Sequence, residues 1–150
     1  MAFLSSMDIV GSGLTAQQLR LDVISENVTN VNTTRTEEGG PYRRKLTVLE
    51  AVDGRNSFRA AMAQAQGRAS NIGAQGGVRV AQIAEDPSDF KLVYDPTNPD
   101  ANDQGYVAMP NVDMVKEIAD AMAASQAYSA DITAFNVLKS VVAKGLEIGR

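Results

Sequence analysis

The stretch AFLSSMDIVGSGLTAQQLRLDVISENVTNV, residues 2–31, sets Phe3, Met7, Val10, Leu14, Gln17, Leu21, Ile24, Val28 and Val31 at steps that alternate between four and three. That is the coiled-coil period, and it predicts a helix over about residues 2–27 with one apolar seam that only Gln17 interrupts. Ser12, Gln18, Arg20, Asp22 and Glu26 fall on the opposite face. The same period returns near the other end in Ile118, Met122, Ser125, Tyr128, Ile132, Phe135, Leu138, Val142 and Leu146. Chain ends fray unless something ties them down, so two terminal stripes are expected to be adhesive surfaces.

The first helix is weak on its own. Gly11 and Gly13 each cost about 1 kcal/mol relative to Ala inside a helix, so packing must hold it. After Asn27 the run Val28-Thr29-Asn30-Val31-Asn32-Thr33-Thr34 offers side chains that compete with helical bonding, and the helix is expected to end there. The second helix is expected over about residues 112–145, capped by Asn111 or Asp113 with Glu117 in its early turns. It is rich in Ala, which lets helix axes approach closely.

Between the helices, Glu38-Gly39-Gly40-Pro41 reads as a turn. Tyr42 to Leu49, Val78 to Ile83 and Phe90 to Tyr94 read as short strands of one small antiparallel sheet, and Gly105 to Pro110 as a brief extended stretch. Residues 53–77 read as a loop with one short helical turn. The expected fold is mostly α with a small β part: long terminal helices paired in a coiled-coil-like body, with a central hairpin or small sheet and a long loop. Three segments follow, 1–34, 35–110 and 111–150, the first and last pairing as one helical domain.

Composition removes many functions. The 150 residues hold no Cys and no His, so thiolate chemistry and the usual general base and metal ligand are missing. A net charge of −4 is too mild to point to nucleic acid or an anionic membrane. No apolar run approaches the roughly 20 residues that span a bilayer. The first basic residue is Arg20, so a secretory leader is not expected.

Isolated motifs fare no better. Gly11-Ser12-Gly13-Leu14-Thr15-Ala16 matches a dinucleotide fingerprint by letter but lies inside a heptad stripe instead of after a strand. Asp95, Asp100 and Asp103 cluster in a turn that Pro96 and Pro99 interrupt, which breaks the calcium-loop pattern. Arg43-Arg44-Lys45 reads as a solvent face or subunit contact. No catalytic residue, cofactor or metal is expected, and an enzyme is disfavoured.

Several longer runs occur together. Ser25-Glu26-Asn27-Val28-Thr29-Asn30-Val31-Asn32-Thr33 stands where one family ends its first helix in A-N-N-L-A-N-x-x-T, keeping Asn27, Asn30 and Thr33 while Ser25, Glu26, Val28 and Thr29 depart from it. Gly39 to Lys45, Val93-Tyr94-Asp95-Pro96, Asn98-Pro99-Asp100-Ala101, Gly105 to Asp113, Ala124 to Tyr128, Thr133 to Asn136 and Leu146 to Gly149 follow in the same order. On these the chain resembles the flagellar axial rod and hook proteins, most closely the proximal-rod type of the basal body. Gln126 departs from the usual Arg and Asp131 from the usual Asn.

The resemblance implies a structural subunit of the periplasm-spanning rod, a helical drive shaft that transmits torque around an export channel. It implies export by the flagellar type III apparatus without a cleaved signal peptide. The implied partners are copies of itself, other rod proteins, the MS ring and the export-gate proteins at the rod base, with no nucleic acid and no small-molecule substrate. Leu14, Leu21, Ile24, Met122, Tyr128, Ile132, Phe135, Val142 and Leu146 are then expected to carry subunit packing, and Asn27, Asn30 and Thr33 to fix the turn leaving the first helix. The rival expectation is a type III secretion chaperone or adaptor, a closed helical dimer using the same stripes.

Overall fold

The computed structural model describes residues 2–37, 39–52, 62, 65 and 76–148. Two long helices enclose four strands in the order α1 (Ala2–Thr29), β1 (Lys45–Ala51), β2 (Val78–Glu85), β3 (Lys91–Tyr94), β4 (Tyr106–Met109) and α2 (Met114–Ile148). The expected loop over 53–77 lies outside the described residues apart from Met62, Ala65, Gly76 and Gly77.

Each boundary has a local cause. Helix α1 stops because Asn30 Nδ2 turns back to the Glu26 carbonyl at 3.0 Å and Thr33 Oγ1 donates to Asn30 Oδ1 at 3.1 Å, the side-chain competition that disfavours further helical turns. Helix α2 starts where Asp113 Oδ1 accepts from the Val115 amide at 3.0 Å, an N-cap bond. Strand β1 begins at Lys45, later than the sequence suggests. The preceding amides are spent elsewhere: Tyr42 N donates to the Thr33 carbonyl and Arg44 N to Asn111 Oδ1. The strands form two separate antiparallel pairs, β1 with β2 and β3 with β4, and not one sheet. In the second pair Leu92 lies opposite Ala108, Val93 opposite Val107 and Tyr94 opposite Tyr106.

Residue contacts divide the chain into two compact units. The first comprises residues 1–18, 49–81 and 125–150. Within it the helices run side by side: a Cβ built on Gly13 meets Asp131 Oδ2 at 2.9 Å, so glycine is what lets that carboxylate lie against α1. Among the described residues of this unit only Ala16, 3% exposed, is fully buried.

The second unit comprises residues 19–48 and 82–124. It holds the core: Val23, Ile24, Tyr42, Val107, Val112 and Ala124 are all buried. Helices α1 and α2 are again antiparallel neighbours, joined by Arg20 and Asp120 at 3.6 Å and by Asn27 and Glu117 at 3.0 Å.

The seam of α2 differs from the stripe read in the sequence. The inward positions are Glu117, Ala121, Ala124, Tyr128, Asp131, Phe135, Leu138 and Val142, while Ile118, Met122, Ser125, Ile132 and Leu146 are exposed. Small and polar side chains form much of the intrachain seam because they allow close approach, and Ile118, Met122, Ile132 and Leu146 point away from it.

Candidate assembly site

The second unit is organised around Asn27, which is completely buried and uses every hydrogen bond its amide can make. Its Nδ2 donates to the Lys45 carbonyl at 2.9 Å and to Glu117 Oε2 at 3.0 Å. Its Oδ1 accepts from the Tyr42 hydroxyl and the Lys45 amide, both at 2.9 Å. One side chain therefore ties the last turns of α1 to the segment entering β1 and to the first turns of α2.

Glu117, also fully buried, is held on its other oxygen by Arg44 Nε. The Arg44 guanidinium continues to Asp120 at 3.1 Å and Asp86 at 3.6 Å. A buried carboxylate is tolerable only when paired and hydrogen-bonded, and this one is both. Burial works against the Arg44 charge, but the hydrogen bond and charge of Glu117, with Asp120 and Asp86, outweigh it and raise its pKa. The Asp86 carboxyl is held low chiefly by hydrogen bonds from Ser88, then by the charge of Arg44. Burial, reinforced by Glu26, Glu117 and Glu85, pushes the Tyr42 hydroxyl up to about 12. Asn111 completes the knot, accepting from the Arg44 amide and donating to the Asp86 and Ser88 carbonyls.

Residues named from the sequence fall into three groups. Ile24 and Asn27 are interior. Leu14, Leu21, Asn30, Thr33, Tyr128, Phe135 and Val142 are half-buried. Met122, Ile132 and Leu146 stand out of the intrachain seam at 69, 40 and 71% exposure, and Val115, Val137 and Val141 join them. Sequence reading missed Arg44 and Glu117 as a pair, because 73 positions separate them and neither sits in a recognisable motif. It placed the basic run on a surface, whereas Arg44 points into the knot.

The remaining chemistry is sparse. A groove of about 800 Å³ runs beside the knot, lined by Glu26, Tyr42, Arg43, Lys45, Glu85 and Phe90 among others. Of its charges, Lys45 is paired with Glu26, and Arg43 with Glu85 and over the Phe90 ring at 4.4 Å. Among the described residues no group of three acidic, His or Cys side chains is placed to hold a metal, and no helix is long and apolar enough to cross a membrane.

A buried polar clamp thus lies beside helices that leave large apolar side chains such as Met122 and Leu146 exposed. The family described as "Flagella basal body rod protein" matches residues 7–35, and that described as "Flagellar basal body rod FlgEFG protein C-terminal" matches residues 103–147. The flagellar basal-body rod protein FlgC of Bacillus subtilis is 44% identical over 149 residues, 97% of each chain. FlgC of Borreliella burgdorferi is 43% identical over 99% of this chain and 98% of its own, and FlgC of Salmonella typhimurium 41% over the whole of both. The chain belongs to the FlgC family of flagellar basal-body rod proteins. It is a non-enzymatic structural subunit of that rod, assembling with other rod components.

Proposed function

We propose that this subunit helps to form a periplasm-spanning drive shaft, its terminal helices packing around an export channel and passing torque from copy to copy. The observation that carries this reading is the uneven distribution of the core. The first unit buries only Ala16 among its described residues, while α2 keeps Met122 and Leu146 about 70% exposed. Helices whose apolar side is left open gain most of their stability from tertiary packing, and here neighbours must supply it. At the rod base those neighbours are the MS ring and export-gate proteins. Passage through the type III apparatus suits a chain with no Cys to cross-link and with two glycines weakening α1.

In this reading Met122, Ile132 and Leu146 are direct inter-subunit contacts, with Leu14, Leu21, Tyr128, Phe135 and Val142 finishing their burial against neighbours. Ile24, Asn27, Asn30 and Thr33 act from within by fixing the scaffold. The test is Met122→Asp, at a side chain that is mostly exposed in the single chain. Purified protein keeps its fold while incorporation into basal bodies and swimming are lost. Normal swimming by this variant and by Leu146→Asp overturns the reading.

A further inference from the structure

Two open apolar surfaces on this chain carry opposite charge. On the β3–β4 hairpin, Leu92 and Tyr94 share a face by strand alternation and are 67 and 64% exposed. Tyr94 packs edge-on against Tyr106 at 5.3 Å, extending that face. A two-stranded hairpin is marginal by itself and needs an apolar face covered. The turn joining its strands, residues 95–105, contains Asp95, Asp100 and Asp103 and no basic residue. On α2, Val137, Val141 and Lys144 follow one another at i, i+4 and i+7 and so share a stripe, with the two valines 56 and 54% exposed. Lys144 is the charged residue of this stripe, Lys139 lies on the other side of the helix, and Glu147 follows one turn beyond Lys144.

We propose that these surfaces are the two halves of one contact between copies, resting on the reading above that neighbours cover α2. The hairpin face of one copy lies on the Val137–Val141 stripe of the next, and Lys144 meets the acidic turn. Apolar burial supplies adhesion, and the charges fix orientation and exclude the like-charged pairing of turn with turn. The two halves are different surfaces, so the contact is heterologous: each copy uses its hairpin on one neighbour and offers its helix to another. A heterologous contact whose rotation does not close propagates as an open helical array, as a rod requires.

The absence of Cys allows a direct test in basal bodies from cells whose only copy of the protein is a Leu92→Cys/Val141→Cys variant. Mild oxidation is expected to give a ladder of disulfide-linked multimers of this chain alone. The matching charge test is Lys144→Glu, which sets like charges against one another and is expected to lower rod incorporation about tenfold, about 1.4 kcal/mol, with Asp103→Lys in the same chain restoring it. Incorporation of the cysteine variant without cross-linking, a disulfide confined to the monomer, a cross-link to a different rod protein, or no rescue by the paired reversal overturns the proposal. Lack of the unsubstituted chain in purified basal bodies strikes the assembly reading itself, and is distinguishable from all of these.

Discussion

Replacing Asn27 by Asp keeps the size of the side chain and removes both donors from the centre of the knot. The Lys45 carbonyl loses a partner, a cost of about 1 kcal/mol. The larger effect is at Glu117, whose Oε2 lies 3.0 Å from the atom that becomes a carboxylate oxygen. Two buried carboxylates at that distance cannot both stay charged, so one takes up a proton and donates it to the other. At pH 7 protonation of a carboxyl whose ordinary pKa is about 3.9 costs about 4 kcal/mol, which sets a ceiling on the repulsion. Arg44 beside Glu117 eases the repulsion itself, so the protonation cost stands as an upper bound. The variant is therefore expected to lose up to about 5 kcal/mol at pH 7.

The sign of the pH dependence follows from proton counting. The folded variant binds one proton more than the unfolded chain between the ordinary carboxyl pKa and the raised one, so its stability falls as pH rises, by about 1.4 kcal/mol per unit. The deficit relative to the parent should shrink to about 2 kcal/mol at pH 5. Urea unfolding followed by tyrosine fluorescence at pH 5 and 7 reads it directly, since the chain has no Trp. A deficit under 1 kcal/mol at pH 7, or one independent of pH, refutes the claim that Asn27 separates a buried carboxylate from the backbone it bridges.

Tyr42 should ionise in a late step of the ultraviolet titration; because its folded pKa is raised, its contribution is intact below about pH 10 and is lost as pH rises through about 12. Gly11→Ala, where an added Cβ meets nothing within 4 Å, should stabilise the isolated protein by about 0.5–1 kcal/mol in thermal unfolding. Gly105→Ala should destabilise it by about 1–2 kcal/mol, since that residue sits at φ +80° with a Tyr94 ring carbon 2.9 Å from the new Cβ. Gln17→Leu should raise stability by about 1 kcal/mol in the same assay, because the Gln17 Oε1 is buried with no hydrogen-bond partner.

The helices were legible because period and length survive any choice of neighbour. Asn30 and Thr33 were legible too, as residues whose side chains compete with the backbone over short range. Which face of α2 turns inward was not. Tyr128, Phe135, Leu138 and Val142 belong to both the sequence stripe and the intrachain seam, but Glu117 and Asp131 also face inward there, and hydropathy alone ranks them as solvent residues. Their inward placement depends on Arg44 and Gly13, far away in the chain. The sheet was misread for a similar reason: three runs of strand-like composition say nothing about pairing, and the fourth, Tyr106–Met109, claims β3 for itself.

The concentration of buried residues in one unit has a mechanical corollary. A unit with its own core keeps its geometry when neighbours are strained, whereas in the proposed reading the helices of the first unit draw their order from contacts shared with other copies. On that reading, removing one copy from the rod strips shelter from several adjoining helices at once, so early loss of a single copy is expected to be the hardest step in dismantling it. Fatigue of such a rod would then begin at its exposed ends, where shelter is one-sided, and not at a random point along its length.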